Sequence, residues 1–143
     1  MLDEKERREI VIVDDEPGIA ELLKEVLFDE GFHPIVFTRA APALAHIHLY
    51  PPALVITDLL LPGIRGEQLV ASVRSRFGAD MPIVAMSASL STQVLAALPV
   101  DAVLTKPFDL DELVAIAHDL TSRSGRINST ATPRRRLRMT VRR

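Results

Sequence analysis

Short runs of aliphatic residues recur along the chain, separated by longer segments in which apolar residues follow helical spacing. The runs predict five buried strands, at residues 10–13, 35–37, 53–57, 82–86 and 102–104. The helical spacing predicts five helices, at about residues 17–30, 40–49, 66–77, 91–98 and 109–120. Because the strands are continuous apolar runs and not alternating ones, we expect a parallel sheet covered on both faces.

The order of these elements predicts the fold class. Five strand–helix units joined by right-handed crossovers give a doubly wound α/β domain. Its sheet has five parallel strands in the order 2-1-3-4-5, a flavodoxin-like (βα)5 arrangement. Asp109 is the expected N-cap of the last helix, with Glu112 completing a capping box. We therefore expect one domain over residues 1–122, with its core at 9–120, and a tail at 123–143.

The composition suits an ordinary globular domain. Hydrophobic residues make up 48% of the 143 residues, enough for a substantial core. The absence of cysteine excludes disulfides and thiolate metal sites, and is compatible with a reducing cytoplasm. The charged N-terminus does not resemble a secretory signal, and no apolar run approaches the roughly 20 residues that span a bilayer. We expect a cytoplasmic protein.

The net charge of −2 conceals a strong asymmetry between the body and the tail. Residues 1–120 carry 19 acids and 9 bases, whereas residues 121–143 carry 8 arginines and no acid. The tail contains few apolar residues, which predicts disorder, and we favour a solvated tail. The alternatives are an electrostatic arm for nucleic acid, a membrane surface or an acidic partner, and self-association with the acidic body.

Polar side chains interrupt the apolar strands at their carboxyl ends. Asp14 and Asp15 follow the first strand, Asp58 the third, Ser87 the fourth and Lys106 the fifth. In a doubly wound sheet these ends share one edge, where ligands bind, and strands one and three are neighbours there. We therefore expect the three carboxylates to converge.

Three converging carboxylates cannot all stay ionised without a cation nearby. Mg²⁺ suits such a site because it binds a few carboxylate oxygens and keeps several waters. Lys106 would supply a second positive charge and Ser87 a hydroxyl. This set suits phosphoryl transfer onto Asp58, since the cations would neutralise charge on the transferred group.

Four motifs together resemble the receiver domain of two-component response regulators over residues 9–120. They are Val13-Asp14-Asp15-Glu16-Pro17, Asp58 with Leu61-Pro62-Gly63-Ile64-Arg65-Gly66, Met86-Ser87-Ala88, and Lys106-Pro107-Phe108. Each motif is weak alone, but their order and spacing are specific. The resemblance implies a chemotaxis-regulator-like fold. Because the tail is too short for a DNA-binding or RNA-binding output module, we expect a stand-alone receiver with no covalently linked output domain.

The resemblance also implies residue roles. Asp58 is the phospho-acceptor, and Ser87 and Lys106 bind the phosphoryl group. Mg²⁺ is bound by Asp15, by Asp58 and by the backbone carbonyl of Leu60, and through water by Asp14. The phosphodonor is a phosphohistidine on a sensor histidine kinase or a histidine phosphotransfer protein, and the Lys106–Pro107 bond is usually cis.

Three features depart from the usual receiver pattern. Val103 stands where the family usually has Tyr or Phe, so no aromatic ring can swing to report phosphorylation. The segment between Ser87 and Lys106 is short, which trims the fourth helix. Leu60 borders the path of attacking water and cannot orient that water by hydrogen bonding, so we expect slow self-dephosphorylation.

The favoured function is a phosphorylation-controlled switch that alters binding to a separate, unidentified protein target. Such a protein is not an enzyme in the usual sense, because it catalyses only its own phosphorylation and slow self-dephosphorylation. The alternative is a receiver-like binding or adaptor module in which phosphorylation is secondary. A flavodoxin-like nucleotide enzyme or phosphatase is more distant, because the chain lacks a Gly-rich phosphate loop and an Asp-x-Asp signature at Asp58.

Overall fold

The computed structural model describes residues 6–88, 92–124 and 137–138. Its strands are β1 (Glu9–Val13), β2 (His33–Phe37), β3 (Leu54–Asp58), β4 (Ile83–Ser87), β5 (Ala102–Thr105) and β6 (Leu137–Arg138). They form one sheet in the order β2-β1-β3-β4-β5-β6, and all pairs are parallel. The predicted order 2-1-3-4-5 is confirmed.

The helices alternate with the strands, as the apolar spacing predicts. They are α1 (Pro17–Asp29), α2 (Ala40–Leu49), α3 (Gly66–Phe77), α4 (Thr92–Ala97) and α5 (Leu110–Ser124), with a 3₁₀ turn at Gly78–Asp80. At the start of α5, Asp109 Oδ1 accepts a hydrogen bond from the Asp111 amide at 2.9 Å, in agreement with its predicted capping role. Among the described helices, none is both long and apolar enough to cross a bilayer.

The strands are continuous apolar runs because each one is covered on both faces. In β1, Val11 and Val13 pack with α2 and α3, whereas Ile10 and Ile12 pack with α1 and α5. All four side chains are fully buried. The sheet is therefore the middle layer of three, and polar groups are expected only where its strands end.

The observed bounds of β2, β3 and β4 differ from the predicted ones. β2 begins at His33 and not at residue 35, so Pro34 lies within it. Proline is tolerated there because β2 is at the edge of the sheet, where one row of amides has no partner strand. β3 and β4 each end one residue later than predicted, which makes Asp58 and Ser87 the last residues of their strands.

Two parts of the C-terminal region have regular structure that its composition does not predict. Helix α5 continues to Ser124, past the expected tail boundary at residue 122. β6 then pairs with β5, with Ala102 opposite Leu137 and Val103 opposite Arg138. The remainder of the basic tail, residues 125–136 and 139–143, lies outside the described residues, as do residues 1–5 and 89–91.

An ion pair closes the amino edge of the sheet. The Arg74 guanidinium lies 3.0 Å from Oδ2 of Asp101, which also accepts the Ile83 amide at 2.8 Å. Arg74 donates further to three backbone carbonyl oxygens, those of Gly78, Met81 and Pro99, at 2.5–2.8 Å. We call Arg74 and Asp101 the amino-edge clamp, since together they tie α3 to the starts of β4 and β5.

Candidate functional site

Asp14 lies just beyond the carboxyl end of β1 and is completely buried. Its amide donates to the Phe37 carbonyl oxygen at 3.0 Å, which continues the pairing between β1 and β2. Its Oδ1 accepts the Glu16 amide at 2.9 Å, a side-chain turn that bends the chain into α1 at Pro17. The carboxylate is thus held by its own loop, with Oδ2 directed toward Lys106.

Asp58 ends β3 and is 5% exposed. Its Oδ1 accepts the Leu60 amide at 3.0 Å, so the loop after the strand also holds this carboxylate. Gly66 determines how close that loop can come to α3. A Cβ atom at Gly66 would lie 2.5 Å from the Asp58 carbonyl oxygen and still closer to the Leu59 Cα, so only glycine allows this packing.

Lys106 joins the two carboxylates. Its Nζ lies 2.8 Å from Asp58 Oδ2, 3.1 Å from Asp14 Oδ2 and 3.6 Å from Glu16 Oε1. Its backbone amide donates to the Ser87 carbonyl oxygen at 2.7 Å, which ties the end of β5 to the end of β4. The Lys106–Pro107 bond is cis, as the family resemblance implies.

Burial and hydrogen bonding shift two pKa values at this edge. Burial raises the pKa of Asp14 above its ordinary value, since hydrogen bonds from the Glu16 amide and Lys106 offset it only in part. Burial alone would lower the pKa of Lys106, but hydrogen bonds to Asp58 and Asp14, and their charges, raise it overall. Lys106 is therefore an ammonium at neutral pH, and ionised Asp14 is kept at a cost.

One acidic group within residues 6–88 and 92–122 has the geometry to hold a cation. Its members are Asp14, Glu16 and Asp58, each with an oxygen within 4.8 Å of the others. One ammonium, that of Lys106, faces these three carboxylates, so the group carries an excess of negative charge. Oxygen donors on an open edge fit Mg²⁺, which binds few protein ligands and retains waters. We call these four residues the carboxyl-edge site.

The structure brings together three of the predicted site residues, Asp14, Asp58 and Lys106. Ser87 is buried at the adjacent end of β4, beside the Lys106 backbone. Asp15 is exposed and lies outside the acidic group found in the described part of the chain. The described contact of Leu60 with Asp58 is through its amide, and the metal-binding roles of Asp15 and of the Leu60 carbonyl stay predictions.

Glu16 is the site residue that we did not predict. It follows two other acids, and spacing alone does not show which of three consecutive carboxylates turns back to the sheet edge. The Asp14 side-chain turn decides this, because it reverses the chain two residues later and brings Glu16 Oε1 to Lys106. An acid two residues after a strand-ending Asp, followed by Pro17, is the signal that could have identified it.

The two predicted departures on the β4–β5 side are present in the structure. Helix α4 has six residues, Thr92–Ala97. Val103 is 4% exposed and belongs to the same core cluster as the buried residues of α2 and α3, so no aromatic side chain occupies this position. The ionic groups of Asp14, Asp58 and Lys106 are therefore in place, whereas on the β4–β5 side helix α4 is short and residue 103 is not aromatic.

Comparison with known proteins agrees with this geometry. Residues 10–118 match the model of the response regulator receiver domain family. The chain is 38% identical over 112 residues to the DNA-binding response regulator MtrA of Mycolicibacterium smegmatis, covering 76% of this chain and 48% of that protein. It is 35% identical over 120 residues to the response regulator Rre1 of Synechocystis, covering 80% and 52%.

Solved structures show the same likeness. A Francisella response regulator receiver domain aligns with a TM-score of 0.77 and 26% identity, covering 82% of this chain and 99% of that one. A response regulator from Chloroflexus aurantiacus aligns with a TM-score of 0.76 and 30% identity, covering 82% and 100%. The chain spans about half the length of the curated relatives it matches. It belongs to the response regulator receiver domain family of two-component signalling.

Proposed function

We propose that the chain accepts a phosphoryl group on Asp58 from a phosphohistidine and thereby changes its binding to a protein target. The observation that carries this proposal is the position of Asp58, with Oδ2 2.8 Å from the Lys106 ammonium inside an acidic group. A nucleophilic carboxylate beside fixed positive charge is the arrangement that phosphoryl transfer requires.

In the proposed reaction an Asp58 carboxylate oxygen attacks phosphorus. The bond between phosphorus and the donor imidazole nitrogen breaks, and its electron pair leaves with the imidazole. Lys106 is positioned to neutralise charge on the phosphoryl oxygens. The Ser87 hydroxyl is proposed to bind one of those oxygens from the adjacent strand end. Self-dephosphorylation reverses the modification slowly: water attacks the phosphorus, the bond between phosphorus and the Asp58 oxygen breaks, and inorganic phosphate and the Asp58 carboxylate are released.

The carboxyl-edge site fits Mg²⁺, which when bound supplies positive charge opposite the phosphoryl group. Asp58, Asp14 and Glu16 present the oxygens for it in the described structure. The proposed assignment also includes Asp15 and the Leu60 carbonyl. Comparing magnesium affinity in Asp15→Asn and Glu16→Gln would show which acid contributes more.

The proposed donor is a sensor histidine kinase or a histidine phosphotransfer protein, docked beside α1. Pro17 and Gly18 are exposed at the start of this helix, next to the site, and Leu22 is 46% exposed one turn later. An exposed leucine next to a reactive carboxylate suits a partner that delivers a phosphoryl group. Contacts with nucleic acid are proposed only through the Arg-rich tail.

The direct experiment is to incubate the protein with acetyl phosphate and Mg²⁺ and to measure its intact mass. We expect a single phosphoryl adduct that requires Mg²⁺ and is lost in Asp58→Asn. Asp80→Asn is the matched control, because Asp80 is an exposed acid in the turn after α3. An adduct that survives in Asp58→Asn would show that another residue is the acceptor.

A second candidate function is a binding module in which phosphorylation is secondary. Val103 and the six-residue α4 favour it, because they remove parts through which receivers usually report phosphorylation. The same mass measurement separates the two functions. No adduct at saturating donor and Mg²⁺, in protein shown to be folded, would support the binding module.

A further inference from the structure

The outer side of β5 is the edge at which the predicted five-stranded sheet would end. Such an edge exposes a row of backbone amides and carbonyls that can pair with another strand. In the structure β6 pairs with it in parallel register, through Leu137 and Arg138. A segment of the chain's own C-terminal region is therefore seated on this edge.

β5 and β6 are connected like the other consecutive strands of the fold, by a segment that contains a helix. Parallel neighbours require a crossover of a dozen or more residues, and α5 is that crossover. Since β5 ends at the carboxyl edge, α5 runs back and brings Ser124 toward the amino edge. β6 begins opposite Ala102, the first residue of β5, so it begins at that same edge. The 12 residues between Ser124 and Leu137 suffice to join two points on one edge.

The sequence around β6 alternates in a way that the rest of the tail does not. Residues 136–142 read Arg-Leu-Arg-Met-Thr-Val-Arg, with apolar residues at every second position. This period is typical of a strand with one apolar face and one polar face. Arginine between the apolar residues is also typical of an outermost strand, where charge discourages addition of a further strand.

The charges favour the same contact. The body over residues 1–120 is strongly acidic, whereas all charged residues of the tail are arginines. Opposite net charges raise the local concentration of the tail near the body. Backbone hydrogen bonding to β5 then fixes the position at which the attracted segment binds.

We propose that the β5 edge is a docking site, and that its occupant is segment 136–142 of the same chain, bound as a sixth parallel strand. β5 continues directly into Lys106, and the Lys106 amide is hydrogen-bonded to Ser87. The segment thus covers the strand that leads directly into Lys106 of the carboxyl-edge site. A partner that adds a strand to β5 must first displace it.

The test is hydrogen exchange of the full-length protein, followed in the peptide that contains Ala102–Thr105. Leu137→Pro removes a backbone donor and constrains the strand, so we expect exchange of the outward-facing β5 amides to rise about tenfold. Asn128→Pro is the matched control, because it places the same residue in the tail outside the alternating segment. It should leave β5 exchange unchanged.

A peptide of residues 131–143 added to Leu137→Pro should restore the protection, and a scrambled peptide of equal charge should not. Equal β5 exchange in the wild type and Leu137→Pro would overturn the proposal. Equal rescue by the scrambled peptide would also overturn it, since charge alone would then suffice. Protection in the wild type that weakens on dilution would assign the strand to a second copy and overturn binding within one chain.

Discussion

The two edges of the sheet each hold a partly buried cation beside a buried carboxylate, and the two sites differ in their balance of charge. In the amino-edge clamp one guanidinium faces one carboxylate, and three backbone carbonyls and one backbone amide provide further hydrogen bonds. In the carboxyl-edge site one ammonium faces three carboxylates. The charges of the amino-edge clamp therefore balance, whereas the carboxyl-edge site could bind a further cation.

This difference separates stabilising groups from functional ones without reference to sequence relatives. An ion pair with balanced charge and several backbone hydrogen bonds has no excess charge for a ligand to neutralise, so its role is to hold the fold together. Two buried carboxylates and the exposed Glu16 share one ammonium, and a bound cation would relieve the remaining negative charge, which is typical of a binding site. Substitutions at the two edges should therefore have opposite effects on stability.

The largest effect on stability is expected at the clamp. Arg74→Met should lower the free energy of unfolding by about 3 kcal/mol, because it leaves Asp101 buried with no cation. Urea denaturation would measure the change. Arg76→Met is the matched control on the same helix, since Arg76 is exposed, and its effect should stay within about 0.5 kcal/mol. A loss in Arg74→Met no larger than in Arg76→Met would show that the clamp does not stabilise the fold.

The opposite sign is expected at the carboxyl edge. Asp14→Asn should raise the free energy of unfolding in EDTA by about 1 kcal/mol, because it removes a buried charge and relieves Asp58. The pKa of Asp14 is raised by folding, so its ionisation costs stability at neutral pH and not in acid. The advantage of Asp14→Asn should therefore shrink as the pH falls through the folded pKa toward the lower, unfolded pKa.

Magnesium should make the wild type more stable than Asp14→Asn, which is the reverse of the order expected in EDTA. At a hundredfold excess over its dissociation constant, Mg²⁺ should stabilise the wild type by about 2.7 kcal/mol. Asp14→Asn should gain less, because one carboxylate of the group is gone. Thermal unfolding with Mg²⁺, against NaCl at equal ionic strength, measures both gains. Equal gains would remove Asp14 from the magnesium site.

The smallest effect concerns the lifetime of the phosphorylated state. Leu60 is 47% exposed beside Asp58 and cannot orient a water molecule by hydrogen bonding. Leu60→Gln should shorten the acyl-phosphate lifetime by about fivefold, which is under 1.4 kcal/mol of barrier. Loss of the mass adduct with time measures this, with Ile64→Gln as a control in the same loop. A wild-type lifetime of seconds, and not many minutes, would contradict the expectation.

The winding of the sheet made the main features of the site predictable. Asp14, Asp58 and Lys106 are far apart in sequence, but each follows a strand, and parallel strands end at one edge. The clamp was not predictable in this way. Arg74 lies in the last turn of α3 and Asp101 follows Pro99, and no spacing rule joins residues 27 apart that come from different elements.

Two further misses have local causes. The choice of Glu16 depends on a two-residue turn, which hydrophobic periodicity does not resolve. β6 was missed because the arginine content of the tail predicts disorder, and this outweighed the alternation around Leu137. In both cases periodicity or composition, averaged over many residues, did not reveal a structure that depends on only a few residues.

Gly66 has a consequence for how sequence variants of this protein would be classified. It carries no functional group, yet a side chain at this position would collide with the backbone of Asp58 and Leu59. A substitution there would displace Asp58, the proposed acceptor, while leaving every charged group intact. In a screen for loss of signalling, substitutions at position 66 would have the same phenotype as substitutions of the proposed reactive residues, although Gly66 contributes only the absence of a side chain.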